Sequence, residues 1–583
     1  MTATRSVPRL AWPSDAVLLM PGSKSDANRL LVAAAARGVP CTVRGVTASD
    51  DVRRLLDGLR TLGFAVTHDE PTATVVLGGR DPRAPTRGEL HCGNAGTALR
   101  FLVSLAAITP GEWVLTGDPA MLRRPIGALT AAWRSLGIDC TDTNGCPPVH
   151  VRAGVPRGSH VALDPSASSQ FVSSLLLVGA ALDAGIDVTF SGDLASAGYA
   201  RWTVATLARL GVRAQVRSDG ARVDRGFGAA PDALHATGDW SSLGTWTCLD
   251  HLTGSRVRAS NLVADGVQPD QGLAELLRTL PAHGDATLDT TAMPDQFCNL
   301  AIVAAHRSGT TRVIGGANLR HKECDRIAVM ARELGKLGAD VQELPDGLLV
   351  RGGRSLRGGT VEPANDHRVA MAFALLGLLV PGIAIAEPGC VTKSYPHFWA
   401  DLATVARDRR CIAVVGMRGA GKSTFARAFA AATGARAIDT DADFVAAHGP
   451  IAAFVAAHGW PAFRAHEHRH CTDALRPGAV VALGGGAIEH EATRELLRHA
   501  FVVWLDGDAA LLRARLAADP GARPSLTGAS ITDEIEDVLA RRRPLYERAA
   551  TVRLDASAPT AEQVAAALTQ VGRSCRWPGA TAG

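Results

Sequence analysis

The strongest constraint on how this chain folds is a segment that keeps returning. "LLDGLRTLGFAV", "LTAAWRSLGIDC", "TVATLARLGVRAQV" and "MARELGKLGADVQ" each read as a helix, a Leu-Gly stop and a short strand. The glycines are Gly63, Gly137, Gly211 and Gly338, and the first two intervals are both 74 residues. A weaker copy, "LLRTLPAHGDATL", puts Gly284 73 residues after Gly211. In the second copy Ile126, Leu129, Trp133 and Leu136 share one helical face. Glycine just past the last apolar position is a common helix C-cap. The first 400 residues are therefore predicted to repeat one α/β unit. The period is too long for a thin solenoid, so repeated units gathered into two lobes are expected.

With 583 residues the chain exceeds one ordinary core. Hydrophobic residues at 46% and charged residues at 20% make it globular. A net charge of +4 gives no global field, which argues against a nucleic-acid or membrane-surface partner and leaves any basic site local. The 11 cysteines are scattered without a C-x-x-C pair, the usage expected of free thiols in a reducing compartment. Cys140 and Cys146 lack the neighbours of a zinc site. No signal peptide is read at the N-terminus. The longest apolar stretch, from Met371, is interrupted by Pro381 and Gly382 and is too short for a membrane span. A soluble, cytoplasmic protein is expected.

The charged stretch from Asp401 places a linker at 406–410. It separates an N-terminal domain, 1–405, from a C-terminal one, 411–575. The lobes of the first are expected at about 21–240 and at 1–20 plus 241–400. In the second, "CIAVV", a Gly-rich turn and "STFARAFAAATG" form a βα unit, and "AVVALGGG" and "FVVWLD" add buried strands. That alternation predicts a parallel sheet with helices on both faces. "GMRGAGKS", Gly416 to Ser423, is a complete G-x-x-x-x-G-K-S between strand and helix. Gly416, Gly419 and Gly421 let backbone N–H groups wrap phosphates at a helix start, with Thr424 beside them. Lys422 reaches the β and γ phosphates of a nucleoside triphosphate, and Ser423 can ligate Mg²⁺. In "AIDTDADF", Asp439 can hold Mg²⁺ through water while Asp441 faces an acceptor hydroxyl.

"FRAHE", "GGG" at Gly484–Gly486, "ARPSL" and "RRRPLYE" follow, and with the phosphate loop residues 411–572 resemble shikimate kinase. The resemblance implies ATP as co-substrate and Mg²⁺. Asp441 would accept the proton of the shikimate 3-hydroxyl, and Arg464 and Arg542 would grip the carboxylate, as a guanidinium fork suits. Gly485 would approach the ring, and Arg523 would belong to a lid over the transferred phosphoryl group. Arg541 and Arg543 read as solvated. One departure stands out: the family usually has Gly-Glu before Phe-Arg, and this chain reads "GWPAFR", with Trp460 and Pro461 on the acceptor side.

The N-terminal region gathers polar segments at element boundaries, where α/β folds put ligands. "PGSKSDANR" carries Lys24, Ser25 and Arg29, and "CGNAGTALR" Asn94 and Gly96. "LRRPI" contains Arg124, and "SASSQF" Ser168, Ser169 and Gln170. "MPDQF" presents Asp295, and "NLRHKECDR" holds Asn318, Lys322, Glu323 and Arg326. "NDHR" ends in Arg368, and "VTKSYP" contains Lys393. Matching in order over residues 10–405, these segments resemble 5-enolpyruvylshikimate-3-phosphate synthase, a fold of two lobes, each of three βαβαββ-type units. The reaction joins shikimate 3-phosphate to phosphoenolpyruvate, so two phosphates and two carboxylates share one cleft and need placed cations. By resemblance Lys24, Ser25, Arg29, Ser168, Ser169, Gln170, Ser196, Asn318 and Lys322 would contact shikimate 3-phosphate. Arg124, Arg326, Arg368 and Lys393 would bind phosphoenolpyruvate, beside Asn94 and with Gly96 at close backbone approach. Asp295 is the candidate near the attacking 5-hydroxyl, Glu323 the candidate proton donor to the methylene, and no cofactor or metal is expected. After "GDWSS" the family continues with small apolar residues, whereas this chain reads "LGTWTCLDHLTG".

The reading is a two-enzyme fusion. Its alternatives are a kinase acceptor of another kind, such as a nucleoside monophosphate, or a C-terminal region kept for regulation. A related enolpyruvyl transferase acting on a sugar nucleotide is disfavoured by the "PGSKS" and "SSQF" pair.

Overall fold

The computed structural model describes residues 3–10, 13–229, 231, 233–407, 411–476, 478–518 and 534–573. Packing divides it into two compact units. One takes in the chain up to Arg9, Val17–Leu249 and Ala259–Ala403, and the other Leu10–Ala16, Asp250–Arg258 and the chain from Thr404 on.

The first unit uses one four-stranded motif repeatedly. Strands Arg87–His91 and Glu112–Thr116 run parallel, joined by helix Gly96–Ile108. Helix Gly127–Ser135 then leads to the outer strand Asp139–Thr143, and Cys146–Arg152 returns between it and Glu112–Thr116, antiparallel to both. Strands within 160–223 and 286–352 repeat this order. Gly63, Gly137, Gly211 and Gly338 each stand just ahead of the outer antiparallel strand, all at positive φ (91°, 80°, 68° and 95°). A helix must reverse there within two residues, and only glycine takes that conformation without cost. Gly284 also has positive φ, but the strand after it, Ala286–Asp289, is the first of its unit, so the weaker copy marks a different joint.

Two of the sheets borrow a strand from far along the chain. Ala233–His235 pairs parallel with Cys41–Arg44, and Thr4–Ser6 pairs antiparallel with Ile383–Ala386. Helices Gly96–Ile108, Ser169–Gly179, Phe297–His306 and His367–Leu379 are buried along nearly their whole length. Each is apolar around its circumference, as a central helix must be. The apolar stretch from Met371 begins in the last of them and ends in strand Ile383–Ala386. Among the described residues no helix is long and apolar enough to cross a membrane. The "LGTWTCLDHLTG" departure falls in helix Trp240–Thr253. Trp246 is fully buried there, stacked on Phe398 at 5.6 Å with its indole N–H donating to the Tyr395 hydroxyl at 3.3 Å, so the larger residue fills core volume.

The second unit centres on five parallel strands in the order Arg436–Asp439, Ala479–Ala482, Cys411–Gly416, Ala500–Asp506, Val552–Asp555. Cys411–Gly416 is central and buried at every residue. From it the chain goes to Arg436–Asp439 on one side, and from Ala479–Ala482 it crosses to Ala500–Asp506 on the other, which opens a crevice at the carboxyl ends of these strands, where such folds bind ligands. Among the described residues every cysteine is a free thiol.

Candidate active sites

In the first unit the predicted residues sit at the starts of helices. Lys24 opens helix Lys24–Arg37 and Gly96 opens Gly96–Ile108. Ser168 caps Ser169–Gly179 by accepting the Gln170 N–H at 3.2 Å, and Ser196, at φ 50°, caps Ala197–Ala208. Asp295 lies in the turn Pro294–Gln296 ahead of Phe297–His306. Arg326 opens Arg326–Lys336, and Arg368 follows Asp366, the N-cap of His367–Leu379. Helix starts carry unpaired N–H groups and positive potential, so a cavity walled by them suits anions.

That cavity is lined by Lys24, Ser25, Arg29, Gly96, Arg124, Ser168, Ser169, Gln170, Ser196, Asp295, Asn318, Lys322, Glu323 and Arg326. Arg368, Lys393 and Asn94 stand one contact behind. Arg368 pairs with Asp295 at 3.1 Å, and Lys393 pairs with Glu323 at 2.7 Å and donates to the Asn94 carbonyl at 2.6 Å. Arg326 meets Asp366 at 2.8 Å, Glu323 at 3.0 Å and Asp295 at 3.3 Å, while Arg124 reaches Glu323 at 3.6 Å. Lys24 pairs with Asp51 at 2.8 Å. Arg29 is buried, donating to the Thr203 hydroxyl and to the Ser25 and Tyr199 carbonyls.

Burial alone would raise the carboxyl groups of Asp295 and Glu323, but the cations win. Arg368 and Arg326 hold Asp295 below the usual range, and Lys393, Arg326 and Arg124 hold Glu323 well below it. Burial, with Arg326 nearby, pushes the Lys322 ammonium down to about 8. Asn94 Oδ1, Arg124 NH2, Asn318 Oδ1 and Arg368 Nε are buried without a hydrogen-bond partner. Such atoms are rare in folded proteins, and here four face or flank one cavity.

Several cavity residues escaped the sequence reading. Arg100 donates to Gln170 Oε1 at 2.6 Å, and Gln170 donates in turn to Thr97 at 2.8 Å. The signal was present, because Arg100 lies one helical turn after Gly96 on the same face. Asp51, Tyr199 and His367 also line the cavity. Asp51 and Tyr199 lie inside plain helical sequence with no local mark. His367 sat within the quoted "NDHR". Burial, with Lys24 and Arg368 facing it, keeps its imidazole well below the ordinary pKa.

In the second unit Gly416, Gly419 and Gly421 all adopt positive φ (148°, 82° and 92°), which curls the loop ahead of helix Lys422–Thr433. Lys422 donates to the Met417 carbonyl at 3.0 Å, and Ser423 and Thr424 lie in the helix's first turn. Asp439 caps the next helix by accepting the Asp441 and Ala442 N–H groups at 3.0 and 3.2 Å. A hydroxyl and a carboxylate are hard oxygen donors, and Ser423 and Asp439 fit Mg²⁺ in kind. A neighbouring pocket brings together Asp441, Arg464, Gly485 and Arg542, with Arg418, Ile451, Trp460, Phe463, Glu467 and Gly486. Arg464 pairs with Glu467 at 2.5 Å and Glu489 at 3.5 Å, and buried Arg542 with Glu489 at 2.9 Å. Burial pushes the Glu467 carboxyl up against the pull of Arg464. A Cβ on Gly486 would stand 2.1 Å from the Arg464 guanidinium, so that glycine is required for close approach. Arg541 and Arg543 are more exposed than Arg542. Arg523 lies outside the described residues.

The family model for EPSP synthase (3-phosphoshikimate 1-carboxyvinyltransferase) matches residues 13–402, and that for shikimate kinase matches 418–572. A 3-phosphoshikimate 1-carboxyvinyltransferase of Rhizobium etli is 38% identical over 402 residues, covering 66% of this chain and 93% of that protein. One from Methanopyrus kandleri is 37% identical, covering 66% and 94%. The pentafunctional AROM polypeptide of Eremothecium gossypii is 31% identical over 556 residues, 82% of this chain but 35% of that longer protein. The EPSP synthase structure from Acinetobacter baumannii shares the fold with a TM-score of 0.56 at 24% identity, over 69% of this chain and 98% of its own.

Proposed function

The chain belongs to the EPSP synthase family over residues 13–402 and carries a shikimate kinase domain over 418–572, and we propose that its residues divide two consecutive transfers as follows. The chain is a bifunctional shikimate-pathway enzyme. The kinase domain moves the γ-phosphoryl group of ATP to the shikimate 3-hydroxyl. The synthase domain moves the enolpyruvyl group of phosphoenolpyruvate to the 5-hydroxyl of shikimate 3-phosphate and releases phosphate.

In the kinase domain Arg464 and Arg542 hold the carboxylate, which exchanges with Glu467 and Glu489 for their N–H donors. Asp441 takes the hydroxyl proton as the oxygen–phosphorus bond forms. Lys422 leaves the Met417 carbonyl for the phosphates. Ser423, with Asp439 through water, would hold Mg²⁺, which supplies charge neutralisation on the triphosphate.

In the synthase domain Lys24, Arg29, Arg100, Arg124, Lys322, Arg326, Arg368 and Lys393 outnumber Asp51, Asp295, Glu323 and Asp366, the surplus that multiply charged anions require. Asp295 takes the 5-hydroxyl proton as that oxygen bonds to C2 of phosphoenolpyruvate. Glu323 gives a proton to the methylene carbon. The adduct then loses a methyl proton and the C2–phosphate bond breaks, leaving the vinyl ether. Glu323 can carry a proton only once substrate anions have taken over Lys393, Arg326 and Arg124, so binding itself arms the acid. The observation that carries this reading is the convergence of those cations, with unpartnered buried donors and acceptors, on Asp295 and Glu323.

The test is sequential. Purified chain with shikimate, ATP and Mg²⁺ should form ADP, and free phosphate should appear only after phosphoenolpyruvate is added. Phosphate release from supplied shikimate 3-phosphate without any ADP from shikimate would leave the synthase standing and refute the kinase acceptor, with CMP the next acceptor to try.

A further inference from the structure

We propose that Trp460 is a specificity-determining and positioning residue of the kinase acceptor pocket, acting by clamping Arg464; the proposal rests on the kinase reading above. Helix Ile451–Ala474 is broken at Gly459, which has φ 78° and ψ 166°. Pro461 follows two residues later, in the first turn of the segment that restarts after the break, where its missing N–H leaves no helical bond unmade. The break turns the half-buried Trp460 into the pocket that also holds Asp441, Arg464 and Arg542. The Arg464 guanidinium lies 5.3 Å from the Trp460 ring centre and 5.5 Å from that of Phe463, and the two rings meet edge-to-face at 5.7 Å.

This arrangement matters because an aromatic face attracts a guanidinium without consuming its N–H donors. The rings fix where Arg464 sits, and its fork stays available to exchange from Glu467 and Glu489 to an incoming carboxylate. Trp460 also joins Ile451 and Phe463 in the apolar lining of the pocket, beside the polar groups. An acceptor that pairs one carboxylate with a carbon ring satisfies both sides. A flexible or compact carboxylate satisfies only one.

The test uses the full chain with Trp460→Ala and Trp460→Phe. Trp460→Ala should raise KM for shikimate about tenfold, the scale of one partly desolvated cation–aromatic contact. KM for ATP should hold and kcat should change less than KM. Trp460→Phe should recover most of the loss. Shikimate should quench part of the wild-type tryptophan fluorescence, and Trp460→Phe should lose that quench. An unchanged KM for ATP in each variant reports that the kinase domain has folded. An active wild type whose Trp460→Ala variant keeps its KM for shikimate overturns the role of Trp460 alone. A wild type that forms no ADP from shikimate overturns the kinase reading and this inference together.

Discussion

At the residue scale, Glu323 faces two demands that conflict until substrate arrives. A proton donor needs a proton, yet Lys393 at 2.7 Å and Arg326 at 3.0 Å keep this carboxylate ionised. Glu323→Gln keeps the shape and removes the transferable proton. Its kcat for the synthase reaction should fall by about 10² to 10⁴, with KM for phosphoenolpyruvate moving far less; steady-state kinetics read the split. Gly96 makes a steric prediction. A Cβ there would stand 2.6 Å from Arg124 NH1 and 3.3 Å from Arg100 NH1, both on flexible side chains. Gly96→Ala should therefore displace the Arg124 guanidinium rather than unfold the helix, and raise KM for phosphoenolpyruvate about tenfold or more with near-normal thermal stability. The residues most legible in sequence, such as Lys24, Arg124 and Glu323, are charged groups at strand-to-helix junctions, where a polar cluster interrupts apolar runs. Asp51 and Tyr199 were not legible because they reach the cavity from inside helices, and only tertiary packing reveals which side they face.

At the scale of elements, the joint before each outer strand could be read because one backbone conformation demands one residue type. Gly63, Gly137, Gly211 and Gly338 announce themselves at any distance. Strands Thr4–Ser6 and Ala233–His235 announce nothing, since pairing with Ile383–Ala386 and Cys41–Arg44 leaves no local signature in so short a segment. The helix His367–Leu379 shows how an element start can serve both stability and chemistry. Asp366 is fully buried, accepts the Arg368 N–H at 2.8 Å as its cap and pairs with Arg326 at 2.8 Å. Asp366→Asn keeps the capping oxygen and leaves Arg326 short of one counter-charge. A loss of about 3 kcal/mol is expected, seen as an earlier unfolding transition in urea, together with weaker phosphoenolpyruvate binding.

At the scale of the whole molecule, the two units have separate cores, and their activities should separate too. Lys422→Met should lower ADP formation at least about 10²-fold while phosphate release from supplied shikimate 3-phosphate and phosphoenolpyruvate persists. Acid stability follows from buried imidazoles. Burial depresses the His306 pKa below 6.5, and burial with Lys24 and Arg368 depresses that of His367 well below it. Above pH 6.5 neither state is protonated and their contribution is full. Below it the unfolded chain takes up protons that the folded chain refuses, so stability falls with pH. The melting temperature should drop between pH 7 and pH 5.5, less steeply in His306→Gln. The borrowed strands have a consequence for how the molecule is made. Thr4–Ser6 leaves the ribosome about 380 residues before its partner Ile383–Ala386 exists. At about 5–20 residues per second it waits roughly 20 to 80 s for that partner. Cys41–Arg44 likewise waits for Ala233–His235. Neither sheet can close in the order of its own synthesis, and Thr4–Ser6 is among the last segments to find its place.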